Sequence, residues 1–141
     1  MFEPIIDAAK RVFESLGPGH SESTYHKAYN YELHALNYST TCERNIVVTY
    51  NDSLGNKHYL NSERIDIFIH ENKEKNIGNI VLELKAIKSI GINESNQVKK
   101  YMKQLKKDEI ICSHGLVINF PTSKETIEHI IFEQSSEQNP L

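Results

Sequence analysis

The sequence predicts an α/β protein in which helices flank a mixed β-sheet of about five strands. Two observations lead to this prediction. Apolar residues recur at helical spacing near the start of the chain, whereas β-branched residues dominate several short segments in its middle and end. One helical segment also lies between the third and fourth strand-like segments, and such a β-α-β crossover joins parallel strands. The predicted order is helix, helix, three strands, helix, two strands.

Three segments have the pattern of amphipathic helices. In the first, from Pro4 to Leu16, the apolar residues form one stripe, and Gly17 with Pro18 ends the helix. The second runs from Ser21 to Asn37, and Ser21 is a candidate N-cap. The third covers Asn93 to Lys107. Each helix therefore has one apolar face to pack against the sheet.

Five segments have the composition of strands: Arg44–Tyr50, Arg64–Ile69, Ile80–Ile87, Ile110–Phe120 and Thr126–Gln134. The first two are joined through a turn cluster at residues 51–57, which predicts a hairpin. Alternation along the second strand predicts that Ile65, Ile67 and Ile69 share one face and that Asp66 lies on the other. The last strand is predicted at the edge of the sheet.

Length and charge restrict the possible classes of protein. A chain of 141 residues fits one domain, which we expect over residues 1–134, followed by a polar tail at 135–141. The net charge of −3 means that nucleic-acid binding would need a local basic patch. Cys42 and Cys112 lack zinc-site spacing, and no signal peptide or membrane span is visible, so we expect an intracellular protein, cytoplasmic or nuclear and not secreted.

The most unusual segment is the third strand, whose sequence VLELKA carries two charges through an apolar run. Val81, Glu83 and Lys85 are predicted on one face and Leu82 and Leu84 on the other. Ionised groups on a half-buried face are costly unless each has a partner. The charges therefore indicate either a solvated face or a functional site.

Asp66, in the preceding strand, indicates a possible chemical role for these charges. If the two strands pair, a suitable register brings Asp66 and Glu83 to a shared cation, and oxygen ligands are those that Mg²⁺ and Mn²⁺ favour. Lys85 could then hold a water molecule or stabilise a phosphate. The alternative is a structural ion pair, in which Lys85 bridges Asp66 or Glu83 at the edge of the sheet.

Further motifs occur in a fixed order along the chain. Gly19 to Tyr25 fits the pattern GxxExxY directly after LGPG, and RIDIFI, ELKA, QxxxY and INF follow. With this ordered set the chain resembles the GxxExxY family, a branch of the PD-(D/E)xK nuclease superfamily, over roughly Ile5 to Pro121. The resemblance implies a restriction-endonuclease-like core and a nuclease that uses Mg²⁺ or Mn²⁺.

The resemblance also implies a role for each matching residue. Asp66 and Glu83 take the positions of metal-binding acids, and Lys85 completes the catalytic motif. Glu22 matches the glutamate of GxxExxY and is a further candidate metal ligand. Gln97 and Tyr101, one helical turn apart, match a motif that supports the site. The sequence departs from the family at His20, Ser21 and His26, the last of which stands where an acid is frequent.

These features predict a metal-dependent nuclease acting on nucleic acid, DNA more than RNA, in repair, recombination or replication. Lysines on and before the third helix are candidate phosphate contacts: Lys88, Lys99, Lys100 and Lys103. The alternative is a catalytically silent module that kept the nuclease fold and binds nucleic acid or protein. In either case, the exposed final strand could pair with a second copy and form a homodimer.

Overall fold

The computed structural model describes residues 2–123 and 125–134, so the predicted polar tail at 135–141 lies outside the described residues. Three helices and five strands follow one another in the predicted order. Their bounds are α1 Glu3–Leu16, α2 Glu22–Ala35, β1 Thr40–Asn51, β2 Lys57–Ile69, β3 Asn79–Lys85, α3 Ile92–Lys107, β4 Cys112–Asn119 and β5 Glu128–Glu133.

The five strands form one mixed sheet in the order β1-β2-β3-β4-β5. Three of its pairings are antiparallel, and the pair β3–β4, which α3 connects, is parallel. The prediction of a mixed five-stranded sheet flanked by helices is therefore confirmed, and the architecture is that of a restriction-endonuclease-like core.

The sheet separates two hydrophobic clusters. Leu82 and Leu84 of β3 pack in a cluster with α1 and α2, while Val81 belongs to a cluster that includes the buried face of α3. These opposite placements are those predicted for VLELKA. Aromatic contacts fix the helices on the first side: Tyr25 of α2 stacks on Phe120, with ring centroids 4.5 Å apart.

The N-terminus of α2 is held by local bonds that matter for the site. Ser21 is the N-cap, and its hydroxyl accepts a hydrogen bond from the Thr24 N–H at 3.2 Å. The Tyr25 hydroxyl donates to the Gly17 carbonyl at 2.7 Å and so ties the helix to the turn after α1. Because both ends of this turn are bonded, the first residues of α2 have a defined position above the sheet.

The β1–β2 hairpin is longer than predicted. Its pairing runs from Thr40 opposite Ile69 to Asn51 opposite Lys57, with an irregularity after Val48. Much of the outer hairpin is exposed, including Tyr50 and the region from 57 to 62. Such strands carry no alternation of buried residues, and their hydrogen bonds come from the partner strand, so sequence periodicity underestimates their length.

One prediction about β2 is wrong. Ile67 and Ile69 pack with α1 and α2, but Ile65 belongs with Phe68 to the cluster beneath α3. The three isoleucines therefore do not share a face. The reason is an interruption at Asp66, which has no ladder partner in β1 or in β3. Regular alternation requires regular pairing, and it is lost where the pairing is broken.

Within residues 2–123 and 125–134, no helix has the length and the apolar character that crossing a bilayer requires.

Candidate metal and catalytic site

Asp66 and Glu83 lie side by side on β2 and β3. The register pairs Ile67 with Leu82, so Asp66 would be the next residue opposite Glu83. The regular pairs stop there, and each carboxylate instead accepts a backbone N–H from the facing strand. The Leu84 N–H donates to Asp66 Oδ2 at 2.8 Å, and the Asp66 N–H donates to Glu83 Oε1 at 3.1 Å. This reciprocal exchange fixes both carboxylates where the strands open.

The environment of this pair disfavours two negative charges. Glu83 is only 2% exposed, and burial, with the charge of Asp66 as the next contribution, raises the pKa of Glu83 to about 8. Burial likewise raises the pKa of Asp66, against the opposing effect of its bond from the Leu84 N–H. In the described part of the chain, no lysine or arginine forms an ion pair with either carboxylate. Two such carboxylates require a proton or a cation between them.

Helix α2 contributes Glu22 and His26, which are one turn apart and therefore lie on the same face. The pKa of Glu22 is raised, first by partial desolvation of its carboxyl group and then by the charge of Asp66. Helix α2 thus brings a third acid into the electrostatic neighbourhood of Asp66. His26 lies on the same helix, although the chain has no HxH or HExxH arrangement and no histidine was therefore expected to bind metal.

Strand β1 contributes Glu43, which has the backbone angle φ of 55°. A non-glycine residue rarely adopts this left-handed conformation. By register Glu43 would be opposite Asp66, but the ladder skips this pair between Cys42–Ile67 and Arg44–Ile65. One ligand atom each from His26, Glu43 and Asp66 lies within 4.8 Å of the others. Residues from three elements therefore converge on one point.

A cavity of about 460 Å³ opens beside this cluster, between α2 and the strands β1 and β2. We call it the acidic cavity, because it contains three carboxylates and only one lysine. Its lining residues are Glu22, Ser23, His26, Lys27, Asn30, Cys42, Glu43 and Asp66.

A second cavity, of about 420 Å³, lies between the end of β3 and α3. We call it the lysine cavity; Lys85 and Lys100 line it with Asn93, Glu94, Asn96 and Gln97. Lys85 is half-buried at the end of β3, two residues beyond Glu83. The charged residues of VLELKA therefore connect the carboxylate pair to a cavity with cationic and amide side chains.

Gln97 and Tyr101 form a hydrogen-bonded chain with β2. The Gln97 Nε2 group donates to the Tyr101 hydroxyl at 3.0 Å, which donates to Glu63 Oε1 at 3.3 Å. Tyr101 is 2% exposed, and burial raises its pKa. Lys100 closes the network through a 2.7 Å ion pair with Glu63. Gln97 also lines the lysine cavity, whereas Tyr101 is held in the core between Gln97 and Glu63.

The four candidate phosphate contacts do not form one patch. Lys100 lines the lysine cavity, and Lys88 is exposed in the segment before α3. Lys99 and Lys103 instead line a separate cavity of about 330 Å³ beside β5, where the Lys99 ammonium lies 5.1 Å from the Phe132 ring centroid. The lysines of α3 therefore face two different surfaces of the protein.

The donor set fits a divalent metal ion. Asp66 and Glu43 offer carboxylate oxygens and His26 a ring nitrogen within one cluster. Glu22 and Glu83 interact electrostatically with Asp66. Burial without a cationic side chain in contact leaves Asp66 and Glu83 in need of positive charge. Sequence reasoning missed His26 and Glu43. The spacing of His26 from Glu22 could have indicated the former, but Glu43 reaches the cluster only through the interrupted pairing of β1.

Comparison with known proteins agrees with this architecture. The crystal structure of SSO0001 is similar over 82% of this chain, with a TM-score of 0.57 and 16% sequence identity. At this identity the similarity concerns the fold alone, and the chain spans about half, 52%, of that structure's length. No curated protein matches the sequence. The family model of the PD-(D/E)XK nuclease superfamily matches residues 1–130. The chain therefore belongs to the PD-(D/E)XK nuclease superfamily.

Proposed function

We propose that this protein is a metal-dependent nuclease that hydrolyses phosphodiester bonds in nucleic acid, DNA in preference to RNA, and that it acts in repair, recombination or replication. The observation that carries the proposal is the arrangement of Asp66 and Glu83. The Glu83 carboxylate accepts the Asp66 N–H and the Asp66 carboxylate accepts the Leu84 N–H where the regular pairing of β2 and β3 ends. Lys85 follows Leu84 on β3. A purely structural pair would not need a buried and a half-buried carboxylate without a basic partner in contact.

The acids and Lys85 have separate roles in the proposed reaction. Asp66 and Glu83, with Glu22 close by, would hold Mg²⁺ or Mn²⁺, an ion that polarises the phosphoryl oxygen and makes a water molecule more acidic. Lys85 places a positive charge at the boundary of the lysine cavity, where it offsets the negative charge that the phosphate gains in the transition state. In the overall reaction, a water oxygen bonds to phosphorus and the bond from phosphorus to the leaving sugar oxygen breaks.

The surface around the lysine cavity supports a nucleic-acid substrate. Lys100 and Gln97 line this cavity with Lys85, and Lys88 is exposed nearby in sequence. Contacts of this type bind phosphates without reading bases. Lys99 and Lys103 lie on the surface beside β5, so we propose that they contact a more distant part of the same strand. Gln97 and Tyr101 act as positioning residues, because their hydrogen bonds anchor α3 to Glu63 of β2.

The decisive experiment is a cleavage assay with single- and double-stranded DNA and RNA, in Mg²⁺, Mn²⁺ or chelator. We expect the wild-type protein to cut DNA only with metal. Lys85→Ala should reduce the rate by at least about 10²-fold, the usual cost of removing a preorganised charge from a transition state. Lys57→Ala, an exposed lysine in the hairpin, is the matched control and should cleave like the wild type.

Circular dichroism and thermal unfolding of Lys85→Ala must match those of the wild type for the comparison to be valid. Cleavage by Lys85→Ala at the wild-type rate would refute the assigned role of this lysine. Salt-sensitive binding of nucleic acid without cleavage under any metal condition would instead identify a catalytically silent binding module.

A further inference from the structure

We propose that His26 and Glu43 bind the divalent ion of this site together with Asp66, and that the imidazole makes the site favour Mn²⁺ over Mg²⁺. The inference rests on the proposed metal dependence and adds two ligands from outside the superfamily motif. It also assigns a function to the convergence of α2, β1 and β2, which bring one atom of each residue within 4.8 Å of the others.

The state of the His26 ring supports this assignment. Its side chain is only 16% exposed, and it faces Glu43 at 3.8 Å from Nδ1 to Oε2. This separation is too long for a hydrogen bond. Neither ring nitrogen has a hydrogen-bond partner among residues 2–123 and 125–134. By contrast, the rings of His34 and His70 are bonded to Thr40 and Thr41 at 2.7 Å and 2.6 Å.

The position of Glu43 is the second element of the argument. Its carboxylate is shared loosely between His26 and Arg64, at 3.8 Å and 3.6 Å. Neither contact has hydrogen-bond length, so both carboxylate oxygens remain accessible to a cation. The left-handed backbone at Glu43, with φ of 55°, costs free energy.

An independent observation points to a cation at this place. Glu83 is almost completely buried and accepts a hydrogen bond from the Asp66 N–H through Oε1. Its other oxygen has no hydrogen-bond partner in the described parts of the chain. A carboxylate buried at this depth normally has both oxygens bonded. A cation next to Asp66 would supply the missing interaction.

The mixed donor set determines the expected metal preference. Mg²⁺ favours oxygen ligands and retains its water molecules, whereas imidazole nitrogen is a good ligand for transition metals. Mn²⁺ accepts both kinds of ligand, and it binds tighter than Mg²⁺ when nitrogen replaces oxygen.

Electron spin echo spectroscopy of the Mn²⁺-loaded full chain tests the inference without measuring cleavage. A directly bound imidazole produces ¹⁴N modulation of the Mn²⁺ echo, which carboxylate and water ligands do not produce. We expect this modulation in the wild type and in His34→Gln, the matched control on the same helix. We expect its loss in His26→Gln.

Affinities measured by titration calorimetry with Mn²⁺ alone and Mg²⁺ alone give the second readout. His26→Gln should weaken Mn²⁺ binding by at least about tenfold and Mg²⁺ binding by less than about threefold. His26→Glu restores an oxygen ligand and should lower the ratio of Mn²⁺ to Mg²⁺ affinity without abolishing binding. Glu43→Gln should weaken both ions.

Modulation that persists in His26→Gln would overturn the assignment, as would its absence in the wild type or failure of the wild type to bind Mn²⁺. A further variant, His58→Gln, tests for an adventitious ion at the hairpin, where His58 Nε2 lies 2.8 Å from Asp52 Oδ2. Loss of the ¹⁴N modulation in this variant would place the ion at the hairpin and overturn the assignment. Cleavage that needs Lys85 but shows no ¹⁴N modulation would refute this inference and leave the nuclease proposal intact. ¹⁴N modulation without cleavage would support the His26 ligand and count against the nuclease proposal.

Discussion

The acidic cavity includes Asp66 of β2 and the lysine cavity includes Lys85 of the neighbouring strand β3, yet the chemistry of the two cavities is opposite. The first collects Glu22, Glu43 and Asp66 from three elements. The second presents Lys85 and Lys100 with amide side chains from α3. Between them, the buried Glu83 carboxylate is bonded to the backbone of Asp66. Under the proposed function, this difference separates cation binding from phosphate binding in a protein whose overall charge is slightly negative.

This separation explains how two acids and a lysine can occupy adjacent strands without neutralising one another. If Lys85 formed an ion pair with Glu83, the strand would carry a structural salt bridge and neither group would be available to a ligand. In the described structure Lys85 instead lines the lysine cavity, and no ion pair joins the two side chains. The comparison therefore predicts that substitutions in one cavity will affect metal binding and substitutions in the other will affect nucleic-acid binding.

The largest expected effect is on the acidic side. Asp66→Asn keeps an oxygen that can accept the Leu84 N–H but removes the charge, so Mn²⁺ affinity should fall by at least about 100-fold. Calorimetric titration with Mn²⁺ measures this loss, and the exposed Asp7→Asn on α1 is the control. An equal loss of Mn²⁺ affinity in Lys100→Ala would contradict the division between the cavities.

The next effect concerns stability without metal. The folded-state pKa of Glu83, about 8, is above its ordinary value of 4.5, so the folded protein binds more protons between these values. The free energy of unfolding of the metal-free protein should therefore fall as the pH rises from about 4.5 to about 8. Glu83→Gln should reduce this slope, with a remainder from Asp66 and Glu22, whose pKa values are also raised. It should add about 2 kcal/mol at pH 8, less than the full shift because Asp66 shares the repulsion.

Urea unfolding in chelator at several pH values measures this effect, with the exposed Glu14→Gln on α1 as the control. A metal-free protein whose stability does not change over this range would show that the Glu83 carboxylate is not desolvated as the structure places it.

The smallest expected effect is on the lysine side. Lys100→Ala should weaken binding of a short labelled DNA by about threefold and reduce the slope of log affinity against log salt by about one, as expected for one lost phosphate contact. Fluorescence anisotropy in chelator measures binding without cleavage. Lys27→Ala in the acidic cavity is the matched comparison and should change affinity less. A larger loss of DNA affinity in Lys27→Ala than in Lys100→Ala would contradict the placement of the phosphates in the lysine cavity.

Much of the fold follows from local sequence patterns. Helical periodicity and the β-α-β order were sufficient to predict the mixed sheet, because these patterns reflect which face each element buries. The length of the hairpin was not predictable, since its outer half is paired by backbone bonds and remains exposed. The face of Ile65 was predicted wrongly, because alternation assumes an unbroken ladder on both sides of β2.

The candidate site was predictable where charged residues interrupt segments that are otherwise apolar. Glu83 and Lys85 stand out because charge is rare in a buried strand, and Asp66 stands out by the same reasoning. Glu43 does not stand out, because an acid in a partly exposed hairpin strand is ordinary. Its proximity to Asp66 depends on a left-handed residue that no sequence pattern predicts for glutamate.

The reciprocal bonds between β2 and β3 have a consequence for spectroscopy. The N–H groups of Asp66 and Leu84 donate to the two carboxylates instead of to a strand ladder. Amide proton and nitrogen frequencies respond to the charge of the acceptor, so these two resonances form an internal indicator of what occupies the site. The amide resonance of Asp66 therefore reports on the Glu83 carboxylate, and that of Leu84 on the Asp66 carboxylate, without an added chemical probe.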